Sequence, residues 1–283
     1  MIYVACTVAG AFICAIAQAT SMAATRYMHP LKVCFYRFTI AVPFCYLAGF
    51  FTTGKTLPGV TVEQFLYIGS IGFIAWGIGG FLFFYAMSKG SMHRVAPISN
   101  SLVIFVVILS IIFLGEPFFK ELIFIVLILG AGIGMIAPTS KNDKQWKPAV
   151  PVAVMVAFLW GTSIVMTKVA VAGVPYPYFV FIKMIFTSGF FFIVQLFYKT
   201  PSNKKGILLC FASALALVAG DSLLMMAVDG LPASIFSPIY ATVIPFGFVF
   251  SVVFLKEKPH KRNWWGMGLI FLAAAICGYL GSN

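Results

Sequence analysis

Ten stretches of roughly twenty apolar residues follow one another along this chain with short connections between them, and no other feature constrains its fold as strongly. Read at the run boundaries they cover 3–24, 31–51, 64–86, 92–114, 119–138, 149–171, 177–198, 206–228, 233–255 and 263–281. A helix rising about 1.5 Å per residue crosses a hydrocarbon core of about 30 Å in about 20 residues, which is what each run supplies. Composition agrees, at 61% hydrophobic and 9% charged residues, where soluble domains carry about 25% charge. Barrel strands would show short alternating segments, and a cleaved leader would not recur to the last residues. The expected fold is all-α and integral to the membrane, with ten transmembrane helices and lipid as the first partner.

The net charge of +12 invites a nucleic-acid reading, but position argues against it. Of the 19 Lys and Arg, 14 fall at one membrane face, among them Arg26, Lys32, Lys89, Arg94, Lys204 and Arg262. Only Lys55 and Lys120 fall at the other, while Arg37, Lys168 and Lys183 lie inside spans. That bias is the positive-inside signal of a multi-pass cell-membrane protein, and it places both termini outside the cytoplasm. The six cysteines show no paired spacing, and the three histidines sit near span boundaries away from carboxylate clusters. Neither a disulfide framework, a metal site nor a cofactor is implied.

The two halves of the chain resemble each other. At a shift of 141 residues, 86–116 pairs with 227–257 without a gap, so that Pro97 meets Pro238, Ser110 meets Ser251 and Glu116 meets Glu257. At a shift of 146, Ala11 and Phe12 meet Ala157 and Phe158, and Arg37 meets Lys183. The polar stretch 139–148 is then a linker between a first repeat, 1–138, and a second, 149–283. Five spans per repeat is an odd number, so the second copy crosses the membrane in the opposite sense. Inverted repeats are the plan of secondary transporters, whose substrate site lies near the midplane between the copies.

The motifs resemble the drug/metabolite transporter superfamily, EamA type. The residues concerned are Phe158-Leu159-Trp160-Gly161, Arg37-Phe38, Leu114-Gly115-Glu116 and Leu255-Lys256-Glu257. The first half departs with Cys14-Ala15 where Trp-Gly would stand, and the second with Lys183-Met184 where Arg-Phe would stand. The resemblance implies a cavity bordered by the first, third, fourth, sixth, eighth and ninth helices. It also implies cytoplasmic termini in many members, against the charge bias here.

Asp221 is the sole charge in the run 206–228, and a carboxylate near a helix centre costs roughly 2.5–3.5 kcal/mol on insertion scales. Two explanations stand open. Lys183, at similar depth, and Lys168, near the end of its span, offer ion-pair or coupling partners. Alternatively, Asp221 faces the cavity and carries a proton, a substrate nitrogen, or each in turn. The repeat register puts Gly80 at the matching position, so the carboxylate belongs to one copy only. Trp76, Tyr85, Trp160 and Tyr240 are candidates for an aromatic box around a cation. Gln18 and Asn100 are uncharged hydrogen-bonding candidates, Asn100 the stronger because Pro97 frees backbone acceptors nearby. Gly130 and Gly134 form a G-x-x-x-G pattern for close helix packing, within a monomer or at a homodimer face.

The expected function is secondary transport of a small amine-bearing metabolite, an organic cation or an amino-acid-like zwitterion, by alternating access. A lipid-handling or scaffold protein of the same fold is one alternative, and an exporter of diverse compounds with a purely structural Asp221 is another. No H-E-x-x-H, G-x-S-x-G or phosphate-binding G-x-x-x-x-G-K-[S/T] pattern suggests an enzyme or an ATPase.

Overall fold

The computed structural model describes residues 1–56, 59–89, 92–117, 120–136, 149–256 and 260–280, and the linker 139–148 and Glu257 lie outside them. The described residues fold into α1 (Ile2–Thr25), α2 (Pro30–Thr53), α3 (Val62–Gly72), α4 (Gly80–Lys89), α5 (Met92–Ser99), α6 (Leu102–Leu114) and α7 (Lys120–Ile136) in the first half. The second half contains α8 (Ala149–Ala170), α9 (Tyr176–Phe197), α10 (Lys204–Gly230), α11 (Ala233–Tyr240), α12 (Val243–Val253) and α13 (Lys261–Leu280). Nine helical segments among the described residues are long and apolar enough to cross a membrane. The remaining expected span contains the 17-residue α7, flanked by residues outside the description.

Three spans are interrupted. The third passes from α3 to α4 through a π-helical segment, Phe73–Gly79, a widened turn of the kind that often marks functional positions. The fourth breaks at Asn100 and Ser101 between α5 and α6, and the ninth at Ala241 and Thr242 between α11 and α12. These two breaks coincide at the 141-residue shift and each follows a proline, Pro97 or Pro238. A proline lacks the N–H that would continue the helical ladder. Tighter bonds then carry the chain across, from Ser101 N–H to Ile98 O (3.1 Å) and from Thr242 N–H to Ile239 O (3.1 Å).

Contacts between repeat mates show the inversion directly. Lys32 near the start of α2 donates to Gln195 near the end of α9 at 3.1 Å, while Tyr178 near the start of α9 donates to the carbonyl of Lys55 beyond the end of α2. Arg262 at the start of α13 donates to Met135 O and Gly134 O at the end of α7, at 2.8 and 3.1 Å. Glu116, past the end of α6, receives the Ala233 and Ser234 N–H groups at 2.6 and 2.8 Å, capping the first turn of α11. Each pair runs antiparallel, as two inverted five-helix repeats require.

The expected G-x-x-x-G packing is placed differently. A side chain at Gly130 or Gly134 would meet nothing within 4 Å, whereas one at Gly132 would press on Gly266 O at 2.7 Å. The close approach of α7 and α13 therefore runs through Gly132 and Gly266, because the face carrying Gly130 and Gly134 points away from the bundle.

Candidate substrate cavity

A cavity lies between the halves, lined by both of them. Its walls include Cys14 from α1, Ala75 and Trp76 from the π-helical segment, Leu102 from α6, Trp160, Ser163 and Thr167 from α8, Lys183 from α9, Asp221, Leu224 and Val228 from α10, and Phe236 and Tyr240 from α11. Thr167 and Val228 stand within one turn of the helix ends at Ala170 and Gly230, so the cavity runs from mid-bundle toward the face with few basic residues.

At its inner end Lys183 Nζ donates to Asp221 Oδ2 at 2.7 Å, with both side chains almost fully buried, at 3% and 4% exposure. Two close helix approaches set this geometry. A Cβ at Gly72 would collide with the Lys183 backbone, and one at Gly220 would press on Cys14 Sγ at 2.8 Å. Thr187 ties the same turn down by donating to Gly72 O and Lys183 O, both at 2.9 Å. Asp221 Oδ1 accepts no hydrogen bond from any described residue, so the carboxylate is engaged through one oxygen and keeps the other for a second donor.

The aromatic wall is partly committed to structure. Trp160 Nε1 donates to Ala75 O at 2.8 Å, satisfying a carbonyl of the π-helical segment, while its ring lies 5.6 Å from that of Trp76. Tyr240 stacks on Phe236 with centroids 5.8 Å apart and planes 9° from parallel, and its hydroxyl makes no hydrogen bond to a described residue.

Of the residues expected from sequence, Asp221, Lys183, Trp76, Trp160 and Tyr240 line the cavity together. Tyr85 does not: it is 39% exposed, packs on Phe81 and lies beneath Lys89 Nζ at 5.8 Å, because it sits near the basic-face end of its helix. Lys168 does not reach Asp221 either. From the last turn of α8 its Nζ extends to Val228 O, Asp229 O and Leu231 O, all at 2.8 Å, and so caps the end of α10. Gln18 and Asn100 are buried but outside the lining, and each leaves a side-chain oxygen unpartnered among the described residues. Sequence reasoning missed Ser163, Thr167 and Phe236, whose small or common side chains carried no signal apart from their neighbours.

Two inverted five-helix repeats around a cavity with a buried ion pair define a multi-pass membrane transporter. The family model described as "EamA-like transporter family" matches residues 1–137 and 147–279, and the chain belongs to this family, within the drug/metabolite transporters. A solved structure described only as "Crystal structure of protein" is 16% identical over 99% of this chain and 99% of its own, with a TM-score of 0.74, a likeness of fold. The comparison with curated proteins gave no match.

Proposed function

We propose that the protein moves a small amine-bearing metabolite, of amino-acid-like zwitterionic form, across the cell membrane by alternating access. The observation that carries this reading is the Lys183–Asp221 pair set into an aromatic-walled cavity, with Asp221 Oδ1 left open to a second donor. A ligand ammonium meets a carboxylate that already has a buried partner in Lys183, so it joins an existing polar pair rather than an isolated group in hydrocarbon. A ligand carboxylate meets the remaining N–H groups of Lys183. A purely cationic ligand would compete with Lys183 for one oxygen, whereas a zwitterion completes both partners, and the neutral sum favours it. Trp76, Trp160 and Tyr240 then hold the apolar part and the ammonium against ring faces.

Alternating access is supported by the broken fourth and ninth helices. They lie at matched positions of the two repeats, where interrupted backbone is tolerated beside a cavity.

The test is thermal stabilisation of the detergent-purified protein by a panel of amino acids, organic cations and anionic metabolites, followed by uptake into proteoliposomes. A ligand that binds only the folded state raises its apparent stability, by about 2.7 kcal/mol at 100 times Kd. Stabilisation and uptake of amine-bearing compounds are expected. Stabilisation by anionic metabolites alone, or none of the compounds entering, would refute the reading.

A further inference from the structure

Arg37 is the buried cation for which the ion pair leaves no counter-charge. It is 2% exposed, its Nε has no partner, and its guanidinium donates no hydrogen bond and forms no ion pair with a described residue. Around it stand the rings of Phe38, Trp76 and Phe84, at 5.4, 5.9 and 5.2 Å from Cζ. Asp221 lies within electrostatic reach of Arg37 but is already joined to Lys183. Arg37 and Lys183 together carry one positive charge more than Asp221 cancels. Ring faces soften such a charge without neutralising it, and an intramembrane cation held at that cost marks a functional position.

The repeats add a geometric reason. Arg37 is the eighth residue of α2 and Lys183 the eighth of α9, so the inversion sets the two cations about 10 Å in from opposite faces. Lys183 serves the cavity present in this structure, and Arg37 touches its wall through Trp76. Gln18 lies seven residues from the end of α1, Arg37 seven from the start of α2 and Asn100 eight from the start of α5, all counted from the basic face. Two unpartnered acceptors, Gln18 Oε1 and Asn100 Oδ1, thus share the depth of an unpartnered guanidinium.

We propose that Arg37 is a second substrate-binding residue, which holds the carboxylate of the zwitterion on the side of the bundle nearer the basic face. The guanidinium offers Nε and one Nη side by side, the fork that matches the two oxygens of a carboxylate. A single negative charge cancels the surplus, which selects a monocarboxylate over a phosphate dianion. Gln18 and Asn100 supply acceptors of the kind an ammonium group requires. The inference rests on the zwitterion reading, in which Lys183 meets the carboxylate on the other side of the bundle, and adds a second group for the same anionic end.

Affinities of leucine and isopentylamine, and of phenylalanine and phenethylamine, are to be measured by ligand-induced thermal shift on wild type, Arg37→Gln, Arg37→Lys and Asp221→Asn. The expected result for Arg37→Gln is at least a roughly tenfold loss for the amino acid and little change for its amine, the scale of one charged hydrogen-bond pair. Its melting temperature without ligand should equal or exceed that of wild type, since an uncompensated charge has been removed. Arg37→Lys keeps the charge but loses the fork, and should lose amino-acid affinity by a smaller factor. An unchanged ratio of amino acid to amine in both variants overturns the proposal. So does a lowered ligand-free melting temperature with that ratio intact, which would mark Arg37 as structural. Phosphoethanolamine binding wild type more tightly than the amino acids, with the advantage lost in Arg37→Gln, overturns the carboxylate class. If no amine-bearing compound stabilises wild type, or Asp221→Asn binds amines normally, it is the cavity reading that fails, and the Arg37 assignment falls with it.

Discussion

At the scale of the residue, Asp221 shows how one side chain serves both stability and binding. Its bond to Lys183 is the alternative in which an intramembrane carboxylate is explained by a partner, and its open Oδ1 is the alternative in which it meets a ligand. The two are separable. Asp221→Asn leaves Lys183 buried with no counter-charge, and breaking a buried pair from one side costs about 3–5 kcal/mol. Replacing both partners, as in Lys183→Met with Asp221→Leu, removes both charges together, and such replacements are often neutral or stabilising. We expect the single variant to melt well below wild type and the double variant to recover most of the loss, while both lose stabilisation by amines. Retention of the amine response in the double variant would show that the pair is structural and the ligand lies elsewhere. A smaller change tests the wall: Trp160→Phe keeps the ring but leaves Ala75 O without its donor. It should cost about 1–3 kcal/mol in stability with ligand binding largely preserved.

At the scale of the element, what the sequence disclosed followed from period and register. Ten apolar runs, paired prolines and the 141-residue shift led to the spans, their inversion and the two matched breaks, since each depends on local composition or on a comparison of the halves. Trp76, Trp160, Tyr240, Lys183 and Asp221 were legible because large or charged groups are rare enough in spans to stand out. Which way a helix turns was not legible. Tyr85 and Lys168 belong to spans that line the cavity, but their positions near helix ends send them to the interface and to the carbonyls of α10. The π-helical segment was equally hidden, for its Ala75 carbonyl meets the Trp160 indole only once another span is packed beside it. Glycine packing shows the same limit, and it can be tested within one helix. Gly132→Ala would put a methyl against Gly266 O, at 2.7 Å, and we expect it to cost about 1–3 kcal/mol by overpacking. At Gly130 or Gly134 the added methyl meets nothing within 4 Å. There the substitution should stabilise by up to about 1 kcal/mol through helix propensity alone. Equal effects at all three positions, read by thermal melting, would refute the assignment of Gly132 to the helix contact.

At the scale of the whole molecule, charge distribution and cavity direction combine into one expectation about orientation. The loops that follow odd-numbered spans and those that follow even-numbered spans differ sharply in basic residues, 14 against 2. They are short, so insertion reads them directly. The cavity reaches toward the sparsely charged face, where Thr167 and Val228 stand near their helix ends. If the basic face is cytoplasmic, the cavity of this conformation points to the outside, and the site proposed at Arg37 belongs to the cytoplasmic half. A reporter fused after Asn283 should then lie outside the cytoplasm. A membrane-impermeant thiol reagent applied from outside to intact cells should label a cysteine placed at Thr167, and bound substrate should protect it. The inversion makes the second measurement informative in either orientation, because turning the molecule over exchanges the roles of Lys183 and Arg37 without disturbing their symmetry. A cytoplasmic reporter, with Thr167 labelled only after the membrane is permeabilised, would reverse the orientation and make the cavity face inward. The substrate would then reach Lys183 and Asp221 first from the cytoplasm, the order required of an exporter loading its cargo.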